Sequence, residues 1–69
     1  MMENMYDVRK LLKQYGIFIY TGEPVSDIEM MKTEVQELYK FQMIDTKTYQ
    51  NALLVINTEK NKSFKNNAR

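Results

Sequence analysis

The segment from residue 16 to residue 24 (GIFIYTGEP) limits what this chain can fold into. It contains both glycines and the single proline of a 69-residue sequence, together with four bulky apolar residues in a row. A surface linker would be more polar than this. The segment therefore predicts a break between helices that is still partly buried. The sequence has no second strand-like run to pair with it, so a sheet would leave its backbone groups unsatisfied.

Two conformations suit the apolar run at residues 17–20. It is either an extended connection across the helices or a distorted continuation of the helix before it. Gly22 and Pro24 then predict a turn, because glycine accepts a positive φ and proline favours extended backbone before it. In an extended chain Phe18 and Tyr20 share one side. That side either closes the end of the core or forms a binding edge.

The rest of the chain shows apolar residues at every third or fourth position, which is typical of amphipathic helices. The predicted helices cover residues 5–15, 27–42 and 46–58. This periodicity predicts an all-α fold, a small three-helix bundle formed by residues 1–59. Residues 60–69 are basic and lack the pattern, so we predict a disordered tail there.

Capping residues mark the expected helix ends. Asn4, Ser26 and Asp45 stand where N-terminal caps belong. Ser26 also begins a capping box that ends at Glu29. Gly16 follows the first apolar stripe, at the place of a C-terminal cap glycine.

Composition limits where the protein works. The chain has no cysteine, so it forms no disulfide and no thiolate metal site. Its first residues lack the pattern of a signal peptide. Its longest apolar runs are far shorter than the roughly 20 residues that a membrane span needs. We therefore predict a cytoplasmic protein with no membrane partner.

The residues that enzymes use most are missing or isolated. The chain has no histidine, the commonest general base. Its two serines, Ser26 and Ser63, have no evident base beside them. Glu34 and Glu37 are neighbours on a helix but lack further ligands for a metal. No glycine-rich phosphate loop is present. The sequence thus predicts no enzymatic activity, no metal, no cofactor and no small-molecule substrate.

One face of the first predicted helix carries Tyr6, Arg9, Lys10 and Lys13 at helical spacing, so the four side chains form a single stripe. Cations in such a stripe can contact phosphates, and the tyrosine can stack on a base. An ordinary solvated face is the other interpretation. The net charge of the chain is only +1.

Residues 15–22 (YGIFIYTG) carry a more specific signal. Through this stretch, and through weaker matches that run to about residue 59, the sequence resembles the YqgQ family. Its members are small cytosolic proteins of Firmicutes with no assigned enzymatic activity. The resemblance implies a three-helix bundle and a role in binding single-stranded nucleic acid. It implies that role for four residues that match the family and carry suitable groups, namely Lys13, Tyr15, Tyr20 and Thr21.

Two hypotheses about function follow. The first is binding of single-stranded RNA or DNA without strong sequence preference. Its candidate residues are Tyr6, Arg9, Lys10, Lys13, Tyr20 and Thr21. The alternative is a protein-interaction module whose partner is a second copy of the chain or another protein. Its candidate residues are Phe18, Phe41 and Leu54. Exposure of Tyr6 and Tyr20 beside Lys13 favours the first hypothesis, and their burial would remove its stacking groups.

Overall fold

A computed structural model describes residues 1–67, which form three α-helices. Helix α1 spans Met5–Lys13, α2 spans Pro24–Lys40 and α3 spans Thr46–Asn67. No strand occurs in this described part of the chain, and the predicted all-α three-helix bundle is confirmed. The interface between α2 and α3 is the most extensive, and α1 packs against both. None of the described helices combines the length and the apolar character that crossing a membrane requires.

The core is built from the apolar stripes of the three helices and one residue of the connection between α2 and α3. Its buried side chains are Val8, Leu12, Ile28, Met31, Val35, Leu38, Ile44, Ala52, Val55 and Ile56. Tyr15, Ile17 and Ile19 are half-buried against this cluster. The run at residues 17–20 is therefore a connection without regular secondary structure that lies across the bundle, as one of the two interpretations expected.

The residues that cap α1 match the prediction, although the helix ends at Lys13, two residues before the predicted end at residue 15. The Asn4 side chain accepts a hydrogen bond from the Asp7 amide at 3.1 Å. At the other end Gly16 has a φ of +74°. The amides of Gly16 and Ile17 donate back to the carbonyls of Lys13 and Leu12, each at 3.0 Å. This pair of bonds satisfies carbonyls that a helix end leaves without partners, and it needs the left-handed conformation that glycine adopts at low cost.

Helix α2 begins at Pro24, before the predicted start at residue 27, and Glu23 precedes it without a side-chain capping bond. The prediction that Ser26 caps this helix is therefore wrong. Proline suits the first helical position, because its missing N–H would have no partner there. The helix ends at Lys40, two residues before the predicted end. Gln42, with a φ of 59°, takes the left-handed conformation that closes it.

Helix α3 starts as predicted and ends later. The Asp45 side chain accepts from the Thr48 amide at 2.8 Å, as expected of the cap. The helix then continues to Asn67, which corrects the predicted end at residue 58 and extends into the segment expected to be a disordered tail. The two last residues, 68 and 69, lie outside the described part. Neither glycine nor proline interrupts this stretch.

A contact with α2 accompanies this extension. The Lys60 ammonium lies 2.6 Å from a Glu29 carboxylate oxygen. Its hydrogen bond and positive charge lower the pKa of Glu29 below the ordinary value. Both side chains are about half exposed, so the pair contributes little to stability.

Substitution of Ile56 by valine tests the core. Ile56 is fully buried, so loss of one methylene should lower the free energy of unfolding by about 1 kcal/mol. Leu54 lies two residues earlier on α3 and is exposed. Leu54→Ala removes more atoms and should change stability by less than about 0.5 kcal/mol. Urea unfolding followed by circular dichroism measures the stability of both variants. Equal losses of unfolding free energy would contradict the burial of Ile56 in the core.

Candidate nucleic-acid interface

The loop between α1 and α2 is held at two points. The Arg9 guanidinium, on α1, donates a hydrogen bond to the carbonyl of Ile19. The backbone amide and hydroxyl of Thr21 donate to one oxygen of Asp27, at 2.9 and 2.6 Å. Asp27 lies in the first turn of α2 and is only 2% exposed. The two anchors tie the loop to both of the helices that it connects.

Asp27 is the buried charged side chain of the described core, and its surroundings favour the ionised form. The hydroxyl hydrogen bond from Thr21 is the main cause that lowers the pKa of Asp27. The Thr21 amide and the positive charge of Arg9 act in the same direction, while burial opposes them. The carboxylate is therefore charged at neutral pH and accepts both bonds from Thr21.

The anchored loop presents two aromatic rings to solvent. Phe18 is 73% exposed and Tyr20 is 83% exposed. The Arg9 guanidinium lies 5.9 Å from the centre of the Tyr20 ring. On α1 itself the Lys10 ammonium lies 5.7 Å from the centre of the exposed Tyr6 ring. Both distances are within the range of a cation–π interaction.

A groove of about 380 Å³ lies between α1, the loop and α2. Its lining residues are Arg9, Leu12, Lys13, Ile17, Phe18, Ile19, Tyr20 and Met31. Two of them are cations, the remaining six are apolar or aromatic, and none is acidic. The groove thus combines an apolar surface with positive charge.

The predicted nucleic-acid residues occupy this part of the surface. Arg9, Lys13 and Tyr20 line the groove together, while Tyr6 and Lys10 pair on α1. Thr21 differs from them because its hydroxyl is already hydrogen-bonded within the protein. The hydroxyl donates to Asp27 and accepts from the Glu23 amide at 3.3 Å. Its hydroxyl therefore anchors the loop.

The residues of the alternative hypothesis are also exposed, but they are distributed differently. Phe18 lines the groove beside α1, whereas Leu54 lines a separate one near the N-terminus. The Phe41 ring lies 5.9 Å from the Lys40 ammonium and lines neither of these grooves. Within residues 1–67 no group of three or more acidic side chains is placed to hold a metal ion.

Sequence reasoning missed the role of Asp27. The residue lies between Ser26 and Glu29, which the sequence analysis interpreted as the two ends of a capping box. The available signal was an acidic residue just after Pro24 and six positions after a threonine. That spacing is not diagnostic without knowledge of the path of the loop.

The fold and this surface define a class of small three-helix proteins that display cations and tyrosines from the first helix and the following loop. The chain matches the model of the YqgQ-like family over residues 2–62 and belongs to that family. It is 38% identical over 58 residues to the Bacillus subtilis (strain 168) protein titled "Uncharacterized protein YqgQ". The alignment covers 84% of this chain and 82% of that protein. The family resemblance found in the sequence is confirmed.

The Thr21→Val variant tests the anchor at Asp27. Loss of the hydroxyl bond should raise the pKa of Asp27 toward its ordinary value of 3.8. A lowered carboxyl pKa stabilises the fold above the unfolded-state pKa, and this stabilisation disappears as the pH falls through the folded-state value. The stability difference between wild type and variant should therefore be largest at neutral pH and shrink below about pH 4. Carboxyl NMR titration and urea unfolding at pH 7 and pH 3 measure these effects.

Thr33→Val is the matched control. The Thr33 hydroxyl donates to the carbonyl of Glu29 at 3.1 Å and touches no carboxylate. Its loss should change stability by a similar amount at both pH values. A pH-independent loss in Thr21→Val would contradict the proposed effect on Asp27.

Proposed function

We propose that the protein binds single-stranded RNA or DNA, weakly and without strong sequence preference, and that it acts in the cytoplasm by binding, without catalysis. The observation that carries the proposal is the pairing of an exposed tyrosine with a cation at two places on one surface. Tyr6 lies beside Lys10, and Tyr20 lies beside Arg9. Each pair offers a ring for a base next to a charge for a phosphate.

The phosphate contacts would come from α1. Arg9, Lys10 and Lys13 lie on one side of α1, within about one and a half helical turns. A strand that neutralises phosphates with these side chains releases bound counterions, which favours binding at low salt. Three cations give a modest electrostatic contribution, in keeping with a net charge of +1.

The base contacts would come from the rings. Stacking on an aromatic side chain tolerates any sequence, because every base has a π face. Tyr6 is 66% exposed, so both tyrosine rings are open to a strand. A double helix keeps its bases stacked within the duplex, and therefore the proposal specifies single strands.

A protein-interaction module is the rival proposal. Its support is the exposure of three large apolar side chains, Phe18, Phe41 and Leu54. They share none of the grooves described for residues 1–67, which makes them a poor single interface. A salt-insensitive dimer or partner complex is the result that would favour this rival.

The salt dependence of binding tests the phosphate contacts. With three cations engaged, the logarithm of the association constant should fall with the logarithm of salt concentration with a slope of about −2. Lys13→Gln should reduce the size of this slope by about 0.7 and weaken binding at low salt. Fluorescence anisotropy with labelled single-stranded oligonucleotides measures both quantities.

Lys47→Gln is the control with the same change in net charge. Lys47 is exposed at the start of α3, and it is absent from the groove. Its replacement should leave the slope unchanged. Equal effects of the two variants would mean that only the total charge matters, and no binding at low salt would end the proposal.

Substitutions of Tyr20 test the stacking contact. Tyr20→Phe keeps a ring and should bind nearly as well as wild type. Tyr20→Leu removes the ring and should weaken binding by roughly fivefold or more, since one base stack contributes about 1–3 kcal/mol. The salt slope should not change, because no charge is lost. Equal affinities of the Phe and Leu variants would contradict a stacking role.

A further inference from the structure

The groove beside α1 has two chemically different parts. Its apolar part includes the almost fully buried Leu12 and Met31 and the half-buried Ile17 and Ile19. Arg9 and Lys13 contribute the only charges among its described lining residues. A ligand that fits this arrangement needs a flat apolar part and an anionic part.

The size of the groove sets a second limit. Its volume of about 380 Å³ is at the lower end of the range for small-molecule sites, roughly 300–1,000 Å³. This space suits one nucleotide unit and excludes a stack of several bases. A nucleotide also joins an aromatic base to a phosphate, which matches the two parts of the groove.

The groove is held open by the anchors of the loop. Arg9 fixes the carbonyl of Ile19, and Asp27 fixes Thr21, on either side of Tyr20. The wall that carries Phe18 is therefore positioned before a ligand arrives. A preformed wall lowers the entropy that binding must overcome.

We propose that this groove accepts one unpaired base of the bound strand, with the adjoining phosphate between Arg9 and Lys13. The inference rests on the proposed function and adds a defined subsite to it. A base in the groove has left the stack of its neighbours, as in enzymes that extrude a base from DNA. In a duplex the same step would also break a base pair, and this added cost gives a structural reason for a preference for single strands.

Methyl NMR of the whole chain locates the base. The Ile17 and Ile19 methyl groups report on the groove, and Ile44, which lines a different groove, is the internal control. The probes are a thymidine oligonucleotide, an abasic oligonucleotide of equal length and thymidine monophosphate. We expect the first probe to shift the Ile17 and Ile19 methyl signals and to give cross-peaks from base protons to them. The abasic strand should leave these signals in place, and Ile44 should not respond to any probe.

Phenylalanine variants provide the affinity test. Phe18 lines the groove, whereas Phe41 is similarly exposed and does not. Phe18→Ala should weaken oligonucleotide binding by about fivefold or more, and Phe41→Ala should not. Neither ring belongs to the buried core, so both variants should fold.

The outcomes separate this inference from the function on which it rests. The thymidine and abasic strands could bind with equal, salt-dependent affinity and leave the Ile17 and Ile19 signals unshifted. That result would overturn the groove subsite but leave the proposed function intact. Failure of every strand to bind at low salt overturns both proposals. If thymidine monophosphate shifts the Ile17 and Ile19 signals and the oligonucleotide does not, the groove is a site for free nucleotides. That result would overturn the proposal that it accepts a base of a strand.

Discussion

The surface of this protein depends on a hydrogen-bonded pair between Asp27 and Thr21. A buried carboxylate is unfavourable unless donors satisfy it, and Thr21 supplies both its amide and its hydroxyl. The loop must therefore return to the first turn of α2. That requirement fixes where the preceding apolar run crosses the bundle, so that Ile17 and Ile19 face the core while Phe18 and Tyr20 remain in solvent.

Arg9 joins this loop to the first helix. It donates to the Ile19 carbonyl and lies near the Tyr20 ring, so one side chain both holds the backbone and supports the exposed aromatic. Arg9 and Lys13 of the basic stripe therefore line one groove together with the loop aromatics Phe18 and Tyr20. Removing Arg9 would disturb both at once, which makes Lys13 the better residue for isolating charge. The residues proposed to contact a strand and the residues that position the loop are therefore separate, except at Arg9, which belongs to both groups.

Local signals were enough to predict the three helices, the caps at Asn4 and Asp45 and the glycine that closes α1, because each acts within a few residues of the chain. The start of α2 was missed although Pro24 carries a local signal for it. Two further errors depend on contacts between separate segments. The role of Asp27 depends on Thr21, six residues back across a turn, and the late end of α3 accompanies a contact between Lys60 and α2. The six candidate nucleic-acid residues all lie on α1 or the following loop, as the sequence indicated. Only the structure shows that the Thr21 hydroxyl anchors the loop, whereas the Tyr6 and Tyr20 rings are exposed.

The distribution of charge explains how a nearly neutral chain can offer a cationic site. Residues 17–45 carry six acidic side chains against two lysines, and they enclose one side of the groove. One of these acids, Asp27, is buried. Its carboxylate accepts hydrogen bonds from Thr21 and is stabilised by the positive charge of Arg9. No acidic residue is among the described lining residues of the groove, so Arg9 and Lys13 would act on a ligand there without a competing carboxylate. If the protein binds a strand as proposed, the remaining acids of α2 would repel its phosphate backbone and favour binding on the side of α1.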